Sequence, residues 1–192
     1  MKKLFALLLC GLFLVGCGSE AADLQEEAAA LREEAEEANV YQTPDGYTTY
    51  TLNGYDIDYP EEWIFMTEGN GVPGIVLQPY ENERNLVTIK IDSPEGFEVD
   101  PTANDDSVLE EINTTYIRDS LTKTVGISSE PMDGHYGRHF VLSVGVDQGI
   151  TMYVCSSFVD GMILQVIALC ENDDTAISTA SMNIIDSARK SA

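Results

Sequence analysis

Few side chains in this sequence stand at spacings that suggest catalysis. Ser120-Leu121-Thr122-Lys123 has the Ser-x-x-Lys spacing in which a lysine lies beside a serine nucleophile. The Ser-Asp-Asn and Lys-Thr-Gly segments that accompany it in penicillin-binding enzymes do not occur in the sequence, and neither does a Gly-x-Ser-x-Gly elbow. We therefore interpret the four residues as the surface-exposed end of a helix, and we predict no catalytic residues.

The two histidines, His135 and His139, have a spacing that suggests a metal site only on a helix. Gly134 and Gly137 argue against a helix in this segment. On a strand, four residues span roughly 13 Å, which is too far for two side chains to share one ion. We predict that both histidines are surface or structural residues.

Carboxylates occur in groups that suggest oxygen ligands for Ca²⁺, namely Asp56-x-Asp58 and the runs 104–106 and 172–174. None of these groups reproduces the twelve-residue EF-hand loop, which ends in a bidentate glutamate. Both runs precede segments with helical periodicity, where acidic residues favour a helix N-terminus. We interpret the runs as helix caps and predict no metal site.

The most specific chemical signal is a cysteine near the start of the chain. Met1-Lys2-Lys3 is basic, and the apolar run 4–15 that follows is about half the ~20 residues of a membrane-spanning helix. These features are typical of a signal peptide. The next residues, Leu14-Val15-Gly16-Cys17, resemble the bacterial lipobox at all four positions. The resemblance implies cleavage after residue 16 and a diacylglyceryl group, with acyl chains such as palmitate, on the thiol of Cys17.

Two acyl chains are enough for stable attachment to a membrane. The sequence therefore predicts an extracytoplasmic lipoprotein, anchored to the cell membrane through Cys17, after removal of signal peptide 1–16. Residues 17–40 are rich in Ala and Glu, with apolar residues at heptad spacing over about two heptads. A partner helix is one interpretation of this spacing. Because most seam residues are alanine and acidic residues repel one another across a turn, we interpret 17–40 as a solvated helical tether.

The charge of the chain excludes one class of partner. The formal net charge is −23, and it becomes −25 without Lys2 and Lys3. Nucleic acid binding needs a cationic surface, so we exclude nucleic acid as a partner. The remaining segment, 41–192, has the size of one ordinary domain with its own hydrophobic core.

The first half of this domain alternates strands and turns. Asn53-Gly54 separates two strand-like runs, 47–52 and 55–59, and is typical of a two-residue hairpin turn. The expected register pairs Leu52 with Tyr55 and Tyr50 with Ile57. Further strands are expected at 63–67, 75–78 and 86–91. Ser107-Val108-Leu109-Glu110 has the pattern of a capping box and predicts a helix that continues to about Leu121.

In the second half of the domain, the pattern predicts three long strands within 137–170, joined by turns at 147–149 and 160–161. It also predicts a closing helix after Asp174. Apolar residues lie on both faces of these strands, so covering layers are expected on both sides. The turn at 160–161 pairs Cys155 with Val166 and Thr151 with Cys170. The two cysteines then lie roughly 13 Å apart, beyond the ~7 Å that a disulfide permits. We predict two free, buried thiols.

A family resemblance accompanies this order of elements. The segment resembles the PsbP/DcrB-type domain in four elements. They are an aromatic-rich strand that runs into Tyr59-Pro60-Glu61-Glu62-Trp63, a central helix, a meander of strands, and a closing helix with Ile184-Ile185-Asp186-Ser187. The resemblance covers 41–192 and implies an α+β fold, an antiparallel sheet flanked by helices in an α/β/α sandwich. The family's functions are varied and share no catalytic motif, so the resemblance implies an accessory or binding role.

The sequence therefore predicts a non-catalytic binding or accessory subunit of a cell-envelope assembly, without a cofactor and with an envelope protein as possible partner. A lipoprotein that binds a small ligand or cation in a pocket beside the Asn53-Gly54 hairpin is one alternative, and a small hydrolase is another. An apolar cavity lined by Tyr or Trp favours the ligand-binding alternative, whereas a shallow exposed apolar patch favours a protein partner.

Overall fold

In the computed structural model, contacts divide the chain into two units, 1–41 and 42–192. The residues that the structure describes are 41–68, 74–79, 84–97, 104–134, 139–171 and 174–191. Signal peptide 1–16, Cys17, tether 17–40 and His135 lie outside them, so those interpretations stay predictions. Within the described ranges, no helix has both the length and the apolar character needed to cross a membrane.

The described residues of the domain form two antiparallel sheets and two α-helices. The smaller sheet has the strand order β1-β2-β10, and the larger, seven-stranded sheet has the order β3-β4-β5-β9-β8-β7-β6. A short 3-10 turn at Pro94–Gly96 follows β5. The elements, in chain order, are β1 (Tyr47–Leu52), β2 (Tyr55–Pro60), β3 (Ile64–Glu68), β4 (Ile75–Gln78), β5 (Leu86–Asp92), α1 (Asp105–Ser120), β6 (Ile127–Asp133), β7 (His139–Asp147), β8 (Ile150–Val159), β9 (Met162–Glu171), α2 (Thr175–Ser187) and β10 (Arg189–Lys190).

Three two-residue turns fix the registers of the hairpins. Both residues of Asn53-Gly54, Gln148-Gly149 and Asp160-Gly161 have positive φ, between 48° and 83°, which is the backbone that these turns require. Leu52 pairs with Tyr55 and Tyr50 with Ile57, as predicted.

The register of the two cysteines is also confirmed. Cys155 pairs with Val166, and Thr151 pairs with Cys170. Both cysteines are buried, and they form no disulfide with each other. Burial raises the pKa of the Cys155 thiol far above its usual value, so this side chain stays a neutral, small apolar group.

The seven-stranded sheet is covered on both faces, which confirms the α+β prediction. Side chains of α1 pack with Val141, Val154 and Ile163 on one face. On the opposite face, α2 and the small sheet pack with Ile89 and Val166. Apolar strands with two buried faces need a layer on each side, and the chain supplies one helix to each.

The start of α1 differs from the predicted capping box. The helix begins at Asp105, and the N-cap is Asn104, whose side-chain oxygen accepts a hydrogen bond from the backbone N–H of Ser107 at 2.9 Å. Ser107 and Glu110 therefore lie inside the helix, and the box was wrong. Asn104 accepts from the N–H of Ser107, in place of Ser107 accepting from the N–H of Glu110, so the helix starts one turn earlier. The cap thus belongs to the acidic run 104–106, which was interpreted as a helix cap. Asp174 caps α2, as predicted for the second acidic run.

Two strands have no strong pattern in the sequence. The first is β6, an edge strand in which Pro131 and polar side chains take the place of an apolar alternation. The second is β10, two residues that pair with β2 only because α2 brings the C-terminal segment back to the hairpin.

A polar cluster lies within the core between α1 and the sheet. The Asn113 amide, fully buried, donates to the carbonyls of Val141 and Val154 at 3.0 and 3.2 Å. Its oxygen accepts from the Ser156 hydroxyl and, at 3.4 Å, from the Gln165 amide. This cluster fixes the position of α1 over β7, β8 and β9, because each buried polar group depends on the others.

Candidate functional site: the Trp63 cleft and the edge strand

A cleft of about 680 Å³ opens at the base of the β1-β2 hairpin, between this hairpin and the first turns of α2. This volume lies within the range typical of small-molecule sites. The cleft is at the opposite end of the hairpin from Asn53-Gly54, where the sequence placed the alternative pocket. Its most informative lining residues are Asp45, Tyr47, Glu62, Trp63, Asn85 and Asp174. We call it the Trp63 cleft.

Local hydrogen bonds hold the aromatic wall of the cleft. The Glu61 N–H donates to the Gly46 carbonyl at 2.9 Å, and the Trp63 N–H donates to the Pro60 carbonyl at 3.0 Å. The turn 60–63 therefore closes the open end of the hairpin and directs the chain from the small sheet into β3. Trp63 is mostly buried, whereas Tyr47 is half-buried.

Asn85 provides a polar group at the floor of the cleft. Its side-chain oxygen accepts a hydrogen bond from the Glu171 N–H at 2.9 Å. Because a backbone N–H only donates, this bond identifies the oxygen and fixes the orientation of the amide. The residue is 0% exposed. Its amide nitrogen has no hydrogen-bond partner among the described residues. A buried donor without a partner costs about 1–3 kcal/mol, so Asn85 gives the lining of the cleft an unsatisfied donor.

The cleft is acidic. Asp45, Glu62 and Asp174 contribute carboxylates, and no basic side chain occurs among the described lining residues. One oxygen of Asp174 accepts from the first amides of α2, so this carboxylate also offsets the positive end of the helix. The neighbouring Arg84 pairs with Glu171 at 2.8 Å, which reduces its influence on the cleft.

A second surface lies along β3, at an edge of the seven-stranded sheet. Within the described part of the chain, β3 pairs only with β4, and the register shifts between Phe65 and Thr67. Ile64, Phe65 and Met66 are 45%, 38% and 52% exposed. We call Ile64–Met66 and the free side of this strand the β3 edge. The Phe65 ring lies 5.2 Å from the ring of Tyr50, which supports it from the small sheet.

The Ser-x-x-Lys segment has a structural role. The Thr122 hydroxyl and the Lys123 N–H both donate to one oxygen of Asp147, at 2.6 and 2.8 Å. These bonds hold the pKa of Asp147 below its usual value, and the bond from Thr122 has the largest effect. Ser120 is the exposed last residue of α1. The segment thus joins the end of α1 to the end of β7.

The remaining polar residues singled out in the sequence also make structural contacts. His139 is exposed and lies 3.5 Å from a carboxylate oxygen of Asp106. Asp56 accepts from Ser191 and from Thr51, and these bonds lower its pKa.

The neighbouring Asp58 is fully buried. It accepts from the Thr49 hydroxyl at 2.7 Å and from Arg189 at 3.2 Å. Across the described residues, no three acidic, histidine or cysteine side chains come together as a metal site would require.

The residues of the Trp63 cleft were not predicted as a site. Tyr47 and Trp63 were assigned to strands, and Asn85 lies in a connection without a motif. They come from four separate segments, which only the packing of the hairpin against α2 brings together. An isolated Asn before an apolar strand carries no signal of its own.

Comparisons with known proteins establish the fold. No protein-family model and no curated protein sequence matches this chain. Among solved structures, cyanobacterial PsbP (CyanoP) from Synechocystis sp. PCC 6803 is similar, with a TM-score of 0.51 and 12% identity over 79% of this chain and 98% of that chain. A point mutant of the protein Mog1 has a TM-score of 0.47 and 9% identity, over 73% of this chain and 86% of its own. The likeness to CyanoP at this identity shows the fold alone, and the domain therefore has the Mog1/PsbP-like α+β fold.

Proposed function

We propose that this protein is a lipid-anchored, extracytoplasmic accessory protein that binds a partner protein of the cell envelope through the β3 edge. The observation that carries the proposal is the exposure of three consecutive apolar side chains on a strand that, among the described residues, pairs on one side only. The fold, which CyanoP shares, suggests a non-catalytic binding protein and agrees with this role.

The two edges of the large sheet differ in a way that supports β3 as the docking side. Proteins protect free edges with proline, charge or irregular pairing, since an unpaired strand invites another strand. The β6 edge has Pro131 and polar side chains. The β3 edge has neither proline nor charge over 64–66. Its pairing with β4 shifts after Phe65, but it still displays Ile64, Phe65 and Met66 to solvent.

An extended segment of the partner is the occupant that fits this edge. It would add a strand beside β3, with main-chain hydrogen bonds for affinity and alternate side chains against the apolar residues for specificity. Glu61 and Glu62 precede the strand and are exposed. We therefore propose a partner segment with apolar residues flanked by Lys or Arg, because the opposite charge speeds encounter and fixes the register.

The lipid on Cys17 and tether 17–40 support the location in this proposal. A helix of about twenty residues reaches roughly 30 Å, so the tether would hold the domain clear of a strongly anionic membrane surface. Incorporation of labelled palmitate into the wild-type protein, and its loss in Cys17→Ala, tests this part. Palmitate labelling of the Cys17→Ala variant would contradict it.

Photo-crosslinking in intact cells tests the docking edge. A photoactivatable residue at position 66 should form an adduct with an envelope protein, whereas one at Val125, an exposed apolar position in a loop, serves as the matched control. A synthetic copy of the crosslinked partner segment should then slow amide hydrogen exchange in β3 and leave β6 unchanged.

Substitutions provide a second test of the docking edge. Met66→Lys should weaken binding of the synthetic partner segment several-fold, because it places a charge in an apolar contact, and Val125→Lys should not. Equal effects of the two substitutions, or unchanged exchange of the β3 amides with the peptide bound, would overturn the docking edge.

A further inference from the structure

The geometry points to a second binding site: we propose that the Trp63 cleft binds a small organic cation that also carries a hydrogen-bond acceptor, such as a basic amino acid amide or a short basic peptide. The cleft adjoins the β3 edge, because Glu62 and Trp63 directly precede Ile64. It is tested with a small molecule, so this test does not depend on the proposed protein partner. Three features of the cleft select this ligand class.

The first feature is the amide nitrogen of Asn85. The bond from the Glu171 N–H fixes which end of the amide is the donor, and the donor has no partner among the described residues. Buried polar groups in native proteins nearly always have partners. The nitrogen has almost no solvent-exposed surface, so a ligand carbonyl would supply this partner after the lining side chains shift, and the ligand therefore carries an acceptor.

The second feature is the charge of the lining. Asp45, Glu62 and Asp174 surround the opening, without a basic side chain among the described lining residues. Like charges held together repel each other, and a bound cation relieves that repulsion. An anionic ligand would meet three carboxylates, so the lining also selects against anions.

The third feature is the apolar and aromatic part of the wall. Trp63 and Tyr47 line the cleft together with Ile177 and the small side chains of Ala176 and Ala180. Aromatic faces attract ammonium and guanidinium groups, and the apolar wall suits an aliphatic stem. A basic side chain with its neighbouring carbonyl combines all three requirements in one compact molecule.

Trp63 makes the proposal directly measurable, because it is the only tryptophan in the sequence. Its fluorescence in the purified full-length protein, in detergent micelles, therefore reports on this cleft. Titration with L-argininamide should produce a saturable change. L-citrullinamide has nearly the same shape without the guanidinium charge, and it should bind about fivefold or more weakly.

Adjacent glutamates provide a matched pair of variants. Glu62 lines the cleft and Glu61 does not, while both are exposed. Glu62→Gln should weaken argininamide binding about threefold, whereas Glu61→Gln should change it by less than about 1.5-fold. Both substitutions are at the surface, so their melting temperatures should match that of the wild type.

Asn85 is tested by one change. Asn85→Leu removes both the donor and the oxygen that accepts from the Glu171 N–H, without adding charge to the cleft. It should weaken argininamide binding about tenfold or more. A second variant, Ala176→Phe, fills the cleft from an exposed helix position and should abolish the saturable change without unfolding the protein.

Equal binding of argininamide and citrullinamide would overturn the proposal, because charge would then play no part. A saturable signal that persists in Ala176→Phe would also overturn it, since the ligand would lie elsewhere. So would the absence of any saturable signal from argininamide through the millimolar range. These results would leave the crosslinking test of the β3 edge unaffected.

Discussion

Gly145 provides the sharpest test of how α1 is seated on the sheet. It lies in β7, opposite Ile127 and Met152 of the neighbouring strands. A Cβ atom added at this position would lie 2.2 Å from the Cγ2 atom of Ile117 and 3.1 Å from the Cδ1 atom of Leu121. The last turn of α1 therefore rests directly on the backbone of β7, and Gly145→Ala should push it away.

The size of the effect follows from this overlap. A normal carbon–carbon contact is about 3.5–4 Å, so the new methyl overlaps Ile117 by more than about 1 Å. Ile117 is fully buried and has no open space to enter. Overpacking of this kind costs about 1–3 kcal/mol, partly offset by about 0.5–1 kcal/mol from the reduced chain entropy of the unfolded state. We expect a net loss of about 1–2 kcal/mol in the free energy of unfolding.

Urea denaturation followed by circular dichroism measures this loss. Gly126→Ala is the matched control, because a Cβ atom there meets nothing within 4 Å and the backbone φ is not positive. We expect the control to stay within about 0.5 kcal/mol of wild type, or to be slightly more stable.

A double-mutant cycle with Ile117→Ala identifies the cause. Ile117→Ala alone should cost about 2–5 kcal/mol through the cavity that it leaves. With Ile117→Ala present, the methyl group added by Gly145→Ala has room, so the combined loss should be smaller than the sum by about 1 kcal/mol or more. Additive losses, or equal stabilities of the Gly145→Ala and Gly126→Ala proteins, would refute the close contact between α1 and β7.

Three further predictions follow from buried groups. Asn113→Ala should lower the free energy of unfolding by about 2–4 kcal/mol in urea denaturation, since it leaves buried hydrogen-bonding groups without partners; a loss below about 1 kcal/mol would contradict the cluster. The folded-state pKa of Asp147 is depressed, so its stabilisation is present above its unfolded-state pKa of about 4 and is lost as the pH falls through the folded-state pKa. Thr122→Val removes the main cause and should raise the pH midpoint of acid unfolding, and an unchanged midpoint would refute this role. Cys155 and Cys170 should both resist a thiol reagent in the folded protein and both react in denaturant, as peptide mapping would show; rapid labelling of the folded protein would contradict their burial.

The local elements were largely predictable because their signals are local. Asn53-Gly54 and Asp160-Gly161 tolerate the positive φ of tight turns, so the registers of both hairpins followed from short segments. The apolar faces of β8 and β9 predicted the layers on both sides of the sheet. The position of Asn104 shows where this reasoning failed, because Ser107 and the run 104–106 both offered caps and the capping-box pattern favoured the wrong one.

The sites were less predictable because they are assembled from distant segments. Asn85 meets Tyr47 and Trp63 only after the hairpin folds against α2. The exposure of Met66 depends on the strand order, since the same apolar residues in a central strand would be buried. Neither property is encoded in a pattern of adjacent residues.

The sequence by itself determined the type and order of most elements, β6 and β10 excepted, because turn chemistry and strand periodicity act over a few residues. It determined the hairpin registers and the separation of Cys155 from Cys170 for the same reason. The lipobox-like segment that ends at Cys17 is also a short linear pattern, and lipidation there stays a prediction. Only the tertiary structure decided which strand became the sheet edge, which residues line the Trp63 cleft, and that Gly145 admits the end of α1. These three properties depend on contacts between segments that are far apart in the chain. Close packing and burial select such contacts, whereas local preferences do not.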